Sequence, residues 1–412
     1  MKGKRRLCLA LSAWLLFGFG CAPGLAEEGS EQETANITAP EAQIGTMSEE
    51  ESPSGIRVDE RGLALGKSEV YYPAVTGLAD GELEKTINDR ILEETRVADY
   101  LTRMSQLISG GELRVNWQGS LMEDVFSCAV FAEGAVTTTR RDFVWTWCNV
   151  DLRDGHVIRW EELFREPDAA GERIETLLAE EVAPELSAYL LNGNVLPMPE
   201  GFWLTRRGMV LLYPRGQWTT LSDRAGDLLI GWDEISEFLD LSENGIANRI
   251  GVGEMLSLTE ERLPQLQRIT QEGRIPDLPV KLGDSLGDAV DAWHLLTDPD
   301  LYENGRVFAL EGALFRGVFL LTDNLSEGWE ESRINGIRMD RGGLFGLAIG
   351  KTEATAWHQV LGEPDTTVSF DAEKAEAYRT VPGMRDYYAW GDHVLQLHSD
   401  ENGTLVSIIL TE

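Results

Sequence analysis

The sequence predicts an α+β protein: a central mixed helix/antiparallel-sheet domain, followed by two tandem small helix-and-antiparallel-sheet repeats. Three observations predict it. Apolar residues recur at helical spacing, from Leu83, Ile87, Ile91 and Leu92 to Tyr100, Leu101, Met104 and Leu107. Within 126–164 two runs alternate at strand period, Phe126-Cys128-Val130 and Val144-Thr146-Cys148-Val150. The end of the chain repeats itself, with Gly283 and Gly350 67 residues apart and Trp293 and Trp357 64 apart.

The chain has 412 residues, a length that as a prior holds about two to three domains. With 42% hydrophobic and 26% charged residues it can bury sizeable cores. Its 36 basic and 70 acidic residues leave a net charge of −34. Nucleic acid and anionic lipid would be repelled, which excludes both as partners.

Residues 1–26 read as a signal peptide. Lys2, Lys4, Arg5 and Arg6 form the basic region, 7–19 the apolar region, and Gly24-Leu25-Ala26 a small-x-small cleavage site. The apolar run is short and glycine-broken for a membrane span. Cys21 after Gly20 has the form of a lipoprotein cleavage site, although Gly18 stands where that pattern favours an aliphatic residue. Lipidation at Cys21 and plain secretion both stay open, and both place the protein outside the cytoplasm. A lipid on Cys21 would be its one contact with a membrane. Residues 27–60 carry ten acids and one arginine among Ser, Thr, Pro and Gly, and read as a disordered acidic linker.

The central domain is expected at 61–242. A strand at 71–75 precedes Asp80, a helix N-cap. The helix then runs on to Gly110-Gly111, and Leu113, Val115 and Trp117 alternate as a strand. If Cys128 faces Cys148, then Val130 faces Thr146 and Ala132 faces Val144. Outside the cytoplasm such a pair is expected to form a disulfide. Closing a loop of about 20 residues, it would be worth on the order of 3 kcal/mol. Two buried free thiols acting as small hydrophobes is the other reading. A turn at Asp154-Gly155, a short strand at 157–158 and a helix begun by Glu161-Glu162-Leu163-Phe164 follow. Strands at 202–205 and 209–213 flank Arg207-Gly208, a last strand covers 227–232, and a helix capped by Asp233 closes the domain.

This order resembles an extracytoplasmic domain of unknown function, shared by the ectodomains of lysozyme-sensing anti-sigma factors and accessory regions of peptidoglycan deacetylases. The resemblance covers roughly 62–242. It is carried by Tyr72-Pro73, Ile87-Asn88, Asn149-Val150-Asp151-Leu152, Asp154-Gly155, Glu162-Leu163-Phe164, the strand pair at 202–213 and the strand-helix end at 230–239. The family's Gly-Gly-Ala-His hairpin loop is replaced by residues 133–139, which hold no histidine. Only six residues precede the apolar run, so sigma-factor control is not expected, and no deacetylase metal ligands are present.

Residues 243–275 read as a helical connector, and Ile275-Pro276 marks a boundary. Tail repeat 1 is placed at 276–340 and tail repeat 2 at 341–412. Leu282-Gly283-Asp284-Ser285, Ala292-Trp293-His294 and Asp298-Pro299-Asp300 match Ile349-Gly350-Lys351-Thr352, Ala356-Trp357-His358 and Glu363-Pro364-Asp365. Strands are expected at 307–310, 318–321 and 334–339, then at 387–390, 393–398 and 405–410. The second copy resembles a module of outer-membrane assembly lipoproteins and β-lactamase-inhibitor proteins, which implies a protein-binding or scaffold unit without chemistry of its own.

No motif names a reaction. Residues 346–352 imitate a phosphate loop but have three residues between the glycines instead of four. His294 and His358 lack the partner spacing of metal ligands, and His393 and His398 lie on opposite faces of one strand. Asp400-Glu401-Asn402-Gly403 has hairpin-turn chemistry. With 70 acids, adjacent carboxylates such as Glu161-Glu162 carry no information. No catalytic, cofactor-binding or metal residues are therefore assigned, and no cofactor is expected. Trp145, Trp147, Trp160 and Trp203 are the candidate ligand-binding aromatics, with core packing the alternative. The function expected is a non-enzymatic envelope binding module for an extracytoplasmic protein or cell-wall glycan. The alternative is a peptidoglycan or glycan-acting enzyme using paired carboxylates.

Overall fold

The computed structural model describes residues 55–106, 112–135, 141–179, 198–199, 201–213, 226–276, 278, 280–287, 289, 300–302, 305–309, 317–323 and 331–412. The expected signal peptide, Cys21, most of the expected linker, and Trp293-His294 lie outside the described residues. It shows the α+β class expected, helices combined with several mainly antiparallel sheets.

Strands β1 (Arg57–Leu65) and β2 (Ser68–Thr76) form a hairpin, Arg57 opposite Thr76 and Leu65 opposite Ser68. Residues 57–60, expected as the end of the linker, are thus the start of an edge strand. Pairing with β2 orders them despite their charge. Asp80 caps α1 (Gly81–Glu94) by accepting from the Glu82 and Leu83 amides at 2.9 and 3.2 Å. The expected single helix to residue 107 is two. Arg96 adopts φ 57° and α2 (Val97–Gln106) starts anew. Two hydroxyls hold the break: Thr95 Oγ1 donates to the Ile91 carbonyl at 2.5 Å, and Thr146 Oγ1 donates to the Thr95 carbonyl at 2.8 Å.

Strand β3 (Leu113–Met122) runs parallel to β2, and β4 (Val125–Ala135) and β5 (Arg141–Asp151) complete the sheet in the order β1-β2-β3-β4-β5. The hairpin register is the one the alternation predicts: Cys128 faces Cys148, Val130 faces Thr146 and Ala132 faces Val144. Both cysteines are free thiols, so the expected disulfide is not present. They are buried in the apolar core beneath α1 and α2, with Val70, Ile87, Ile91 and Met104. Burial pushes the Cys128 thiol up to about 12 and the Cys148 thiol well above its ordinary value, so both stay protonated and pack as small hydrophobes.

After β5, Trp160–Leu163 make only a 3₁₀ turn and Phe164 bridges to Leu239. Pro167, at the first helical position, opens α3 (Pro167–Leu177) as a separate helix. Strands β6 (Gly201–Leu204), β7 (Gly208–Tyr213) and β8 (Gly226–Gly231) form a second sheet. The helix expected from Asp233 is a 3₁₀ turn, Trp232–Phe238, and Asp233 is buried within it instead of capping it.

Every residue of β7 is buried. Met209, Leu211 and Tyr213 pack in a core with Ile174 and Leu177 of α3, while Val210 and Leu212 turn to the other side. That other side, with Trp203 and Leu229, shares one core with Ile275, Leu278, Val280 and Leu282 and with the tail strands. The connector between them contains α4 (Ile246–Arg249), α5 (Val252–Met255) and α6 (Leu263–Glu272).

The tail comprises β9 (Asp300–Tyr302), β10 (Gly305–Ala309), β11 (Val318–Thr322), β12 (Gly336–Met339), the short hairpin β13 (Gly343–Leu344) and β14 (Leu347–Ala348), and α7 (Ala354–Leu361). Then follow β15 (Thr366–Phe370), α8 (Ala372–Ala377), β16 (Gly383–Trp390), β17 (His393–Asp400) and β18 (Leu405–Thr411). The sequence repeats do not close two separate small sheets. Their strands form one sheet in the order β15-β16-β17-β18-β12-β11-β10-β9. The last strands of the two copies, β12 and β18, pair antiparallel at its centre and so remove two exposed edges.

Candidate functional site

A half-open cleft of about 220 Å³ lies where the second sheet, the connector and the β13–β14 hairpin meet. Four turns and a helix build it. Between β6 and β7, Thr205 Oγ1 accepts from the Arg207 and Gly208 amides at 3.1 and 3.0 Å, and the Trp232 indole donates to the Thr205 carbonyl at 2.9 Å. This fixes Arg206 and Arg207 at the cleft wall. Gly208 cannot be replaced there, since a Cβ would stand 2.1 Å from the Ile230 carbonyl oxygen.

The second turn joins β3 to β4 and places Met122 and Glu123 in the lining, Glu123 with φ 49°. The third is the β13–β14 hairpin, whose two loop residues, Phe345 and Gly346, have φ 48° and 84°. Two left-handed residues are what a two-residue hairpin of type I′ demands. The Gly346 amide donates to the Met255 carbonyl at 2.5 Å, and a Cβ on Gly346 would lie 2.0 Å from the Leu258 nitrogen. The hairpin is therefore seated against the connector with no room to spare. Among the described residues four non-glycine residues have positive φ, and two of them, Glu123 and Phe345, line this cleft.

Connector residues supply the rest. Met255 and Leu256 line the wall next to the hairpin, and Arg262, Gln265, Arg268 and Ile269 come from the start and body of α6. Arg262 pairs with Glu254 and donates to Gln265 Oε1 at 3.0 Å. The fourth turn follows β8, where Trp232 and Asp233 reach the lining. Burial raises the Asp233 carboxyl, opposed by its own amide and by the charges of Lys351 and Arg207. Lys351 donates to the Asp233 carbonyl, tying the tail to this turn. The lining holds four arginines and three acids, which reverses the balance of a chain with 36 bases and 70 acids. Among the described residues the lining offers guanidinium, carboxylate, amide and apolar groups, and no histidine, cysteine, serine, threonine or tyrosine.

The residues singled out by sequence lie elsewhere. Trp203 is 3% exposed and belongs to the shared core. Trp145 and Trp147 pack against that core from β5, Trp147 lying over Gly201. Trp160 packs edge-on to Phe164, ring centroids 5.5 Å apart. These four do not form one continuous aromatic face. His358 bonds Asp386 Oδ2 at 2.7 Å, an oxygen also reached by the Trp357 indole at 3.0 Å, while Thr367 takes Oδ1 at 2.6 Å. That buried carboxylate pins α7 to the sheet. His393 bonds the Gln271 carbonyl and His398 the Val381 carbonyl. Asp400 accepts from the Asn402 and Thr404 amides, closing the hairpin turn its sequence indicated. The cleft arginines were missed, although Arg262, Gln265 and Arg268 at i, i+3, i+6 mark one helix face. Phe345-Gly346 carried a second signal, a turn dipeptide between Leu344 and Leu347.

No family model matches the chain, and no curated protein matches it. Among solved structures it is similar to a DUF3298 family protein from Bacteroides fragilis, at 11% identity over 48% of this chain and 97% of that one, with a TM-score of 0.38. A DUF3298 protein from Pseudomonas aeruginosa is similar at 11% identity over 46% and 96%, TM-score 0.34. A DUF4309 protein from Bacillus subtilis is similar at 14% identity over 37% and 97%, TM-score 0.27. The chain thus resembles bacterial domains of unknown function. Likeness this remote carries no argument about ligand or activity.

Proposed function

We propose that this is an extracytoplasmic, non-enzymatic binding protein of a bacterial envelope, and that the cleft is its binding site. The leader-like residues 1–26 and the acidic segment after them support the location. The resemblance of 62–242 to sensor ectodomains, and of the tail to inhibitor and assembly modules, supports a recognition role. The observation that carries the reading is the cleft lining. Arginines, acids, a glutamine and apolar side chains share it, and its lining runs from Met122 to Ala348, segments more than 200 residues apart in the chain.

One observation favours a second reading. Asp233 is a buried acid with a raised carboxyl beside Trp232, the setting a glycan-acting enzyme would give its general acid. A single assay separates the two. Purified protein is incubated with solubilised wall fragments and envelope proteins, and both retention and chemical change are measured. Saturable retention of an unchanged ligand, lost in Gln265→Trp, is the expected result. Turnover abolished by Asp233→Asn would establish the enzyme instead.

A further inference from the structure

We infer that the cleft takes an acidic peptide: a short segment carrying a carboxylate next to an apolar side chain. The inference rests on the reading of the cleft as the binding site. Charge complementarity argues for the carboxylate. Arg206 and Arg207 on one wall and Arg262 and Arg268 on the other are guanidinium groups, whose planar forks match carboxylate oxygens. The described lining sets four arginines against three acids, with Arg262 paired to Glu254, so it is net positive in a chain of net charge −34. Leu344 and Phe345 argue for the neighbouring apolar side chain, since they present apolar surface in the same cleft.

A glycan is disfavoured because Trp232, the one tryptophan of the described lining, is 2% exposed and has no open ring face for a sugar to stack on. The backbone points the same way. Phe345 is held at φ 48°, a conformation that costs a non-glycine residue about 1–2 kcal/mol. The hairpin that holds it there is clamped to the connector through Gly346 and Met255. A strained apolar residue fixed in the lining of a cleft is preorganised for contact.

The test uses the whole chain and two fluorescent peptides, acetyl-Leu-Glu-Leu-Asp-amide and its isosteric control acetyl-Leu-Gln-Leu-Asn-amide, followed by anisotropy. The acidic peptide is expected to bind at least ten-fold more tightly than the control. Arg268→Gln and Arg262→Gln should each weaken it about ten-fold or more, the size of one charge-assisted contact. Arg268→Lys should keep part of the affinity, and an unchanged melting temperature in each variant shows that the fold survives. The salt dependence gives an independent readout. Screening the −34 background helps an acidic ligand approach, while screening the arginines hurts it, so affinity should pass through a maximum as salt is raised.

Equal binding of both peptides, binding of neither, or indifference to all arginine variants overturns the ligand class. If envelope retention stays sensitive to Gln265→Trp in that case, the cleft remains the site and only its ligand was misassigned. Retention that ignores Gln265→Trp removes the cleft as the site as well.

Discussion

Arg249 of α4 reaches Asp151, 98 positions away at the end of β5, with Nη1 2.8 Å from Oδ2 and Nη2 3.0 Å from Oδ1. Both side chains are under 10% exposed. Arg249 also stands 2.7 Å from Asp124 in the β3–β4 turn, and Arg153 adds three further hydrogen bonds to Asp151. This fork-on-fork pair fastens the first sheet to the connector that carries one wall of the cleft.

Removing it tests how far the cleft depends on that joint. Arg249→Met should destabilise the protein by about 3 kcal/mol, at the low end for opening a buried pair because Arg153 remains. Burial by itself would raise the Asp151 carboxyl, but the hydrogen bonds of Arg153 and then Arg249 hold it at about 2. The folded-state value lies below the ordinary 3.8, so the contribution is full above that value and is lost as pH falls through about 2. Urea melts of the two proteins should therefore differ at pH 7 and converge as the pH is lowered from 4 to 2.

Cys128 and Cys148 offer a check on the core. At pH 8 neither thiol should react with iodoacetamide while the protein is folded, and both should react in guanidinium, as read by peptide mass. Directly opposed strand residues have Cα atoms about 4.5–5.5 Å apart, within the span of a disulfide. Refolding under an oxidising thiol buffer should therefore join the two peptides. Cys128→Ser should cost about 1–3 kcal/mol by burying a hydroxyl in an apolar setting.

His398 is fully buried, and its Nδ1 has no hydrogen-bond partner among the described residues. Burial first, and then the charges of Arg385 and Arg338, bring the imidazole down to about 4 against the pull of the Val381 carbonyl and Asp340. Lys374, stacked on Phe370, adds a third cation to this side of the sheet. The depressed value means that the neutral ring's contribution is intact above 6.5 and is lost between 6.5 and 4. The stability gap between the native protein and His398→Asn should shrink over that window, by at most about 1.4 kcal/mol per pH unit. A gap independent of pH would contradict the buried neutral ring.

The β13–β14 hairpin separates strain from function. Gly346→Ala should lower the unfolding midpoint and abolish peptide binding, because the added carbon meets the Leu258 backbone. Phe345→Gly should leave stability equal or higher by about 1 kcal/mol while weakening binding, as relief of the left-handed φ offsets the lost contact. Chemical denaturation and anisotropy measure the two effects on the same samples.

Local features were legible in the chain. The faces of the 126–150 hairpin followed from period-two alternation, and its register from setting Cys128 opposite Cys148. Asp80 as a cap and Asp400 to Gly403 as a turn followed from side chains that bond their own backbone. The break at Thr95 did not, because it depends on Thr146 arriving from another strand to take a carbonyl. Nor could four tryptophans be sorted by composition, since whether an aromatic is core or surface depends on what is packed over it.

The sequence by itself determined the class of the fold, the faces of the hairpin strands and the turn chemistry, all of which act over a few residues or one alternation period. Only the tertiary structure decided that the two repeats share one sheet and that a three-stranded sheet is buried on both faces. It also decided that Arg206, Arg262 and Phe345 line one cleft. Periodicity says which side of an element seeks burial but is silent on which distant surface will cover it. The physical reason is that sheet edges and apolar faces are satisfied by any complementary partner, and the choice among partners rests on shape and packing summed over the whole chain.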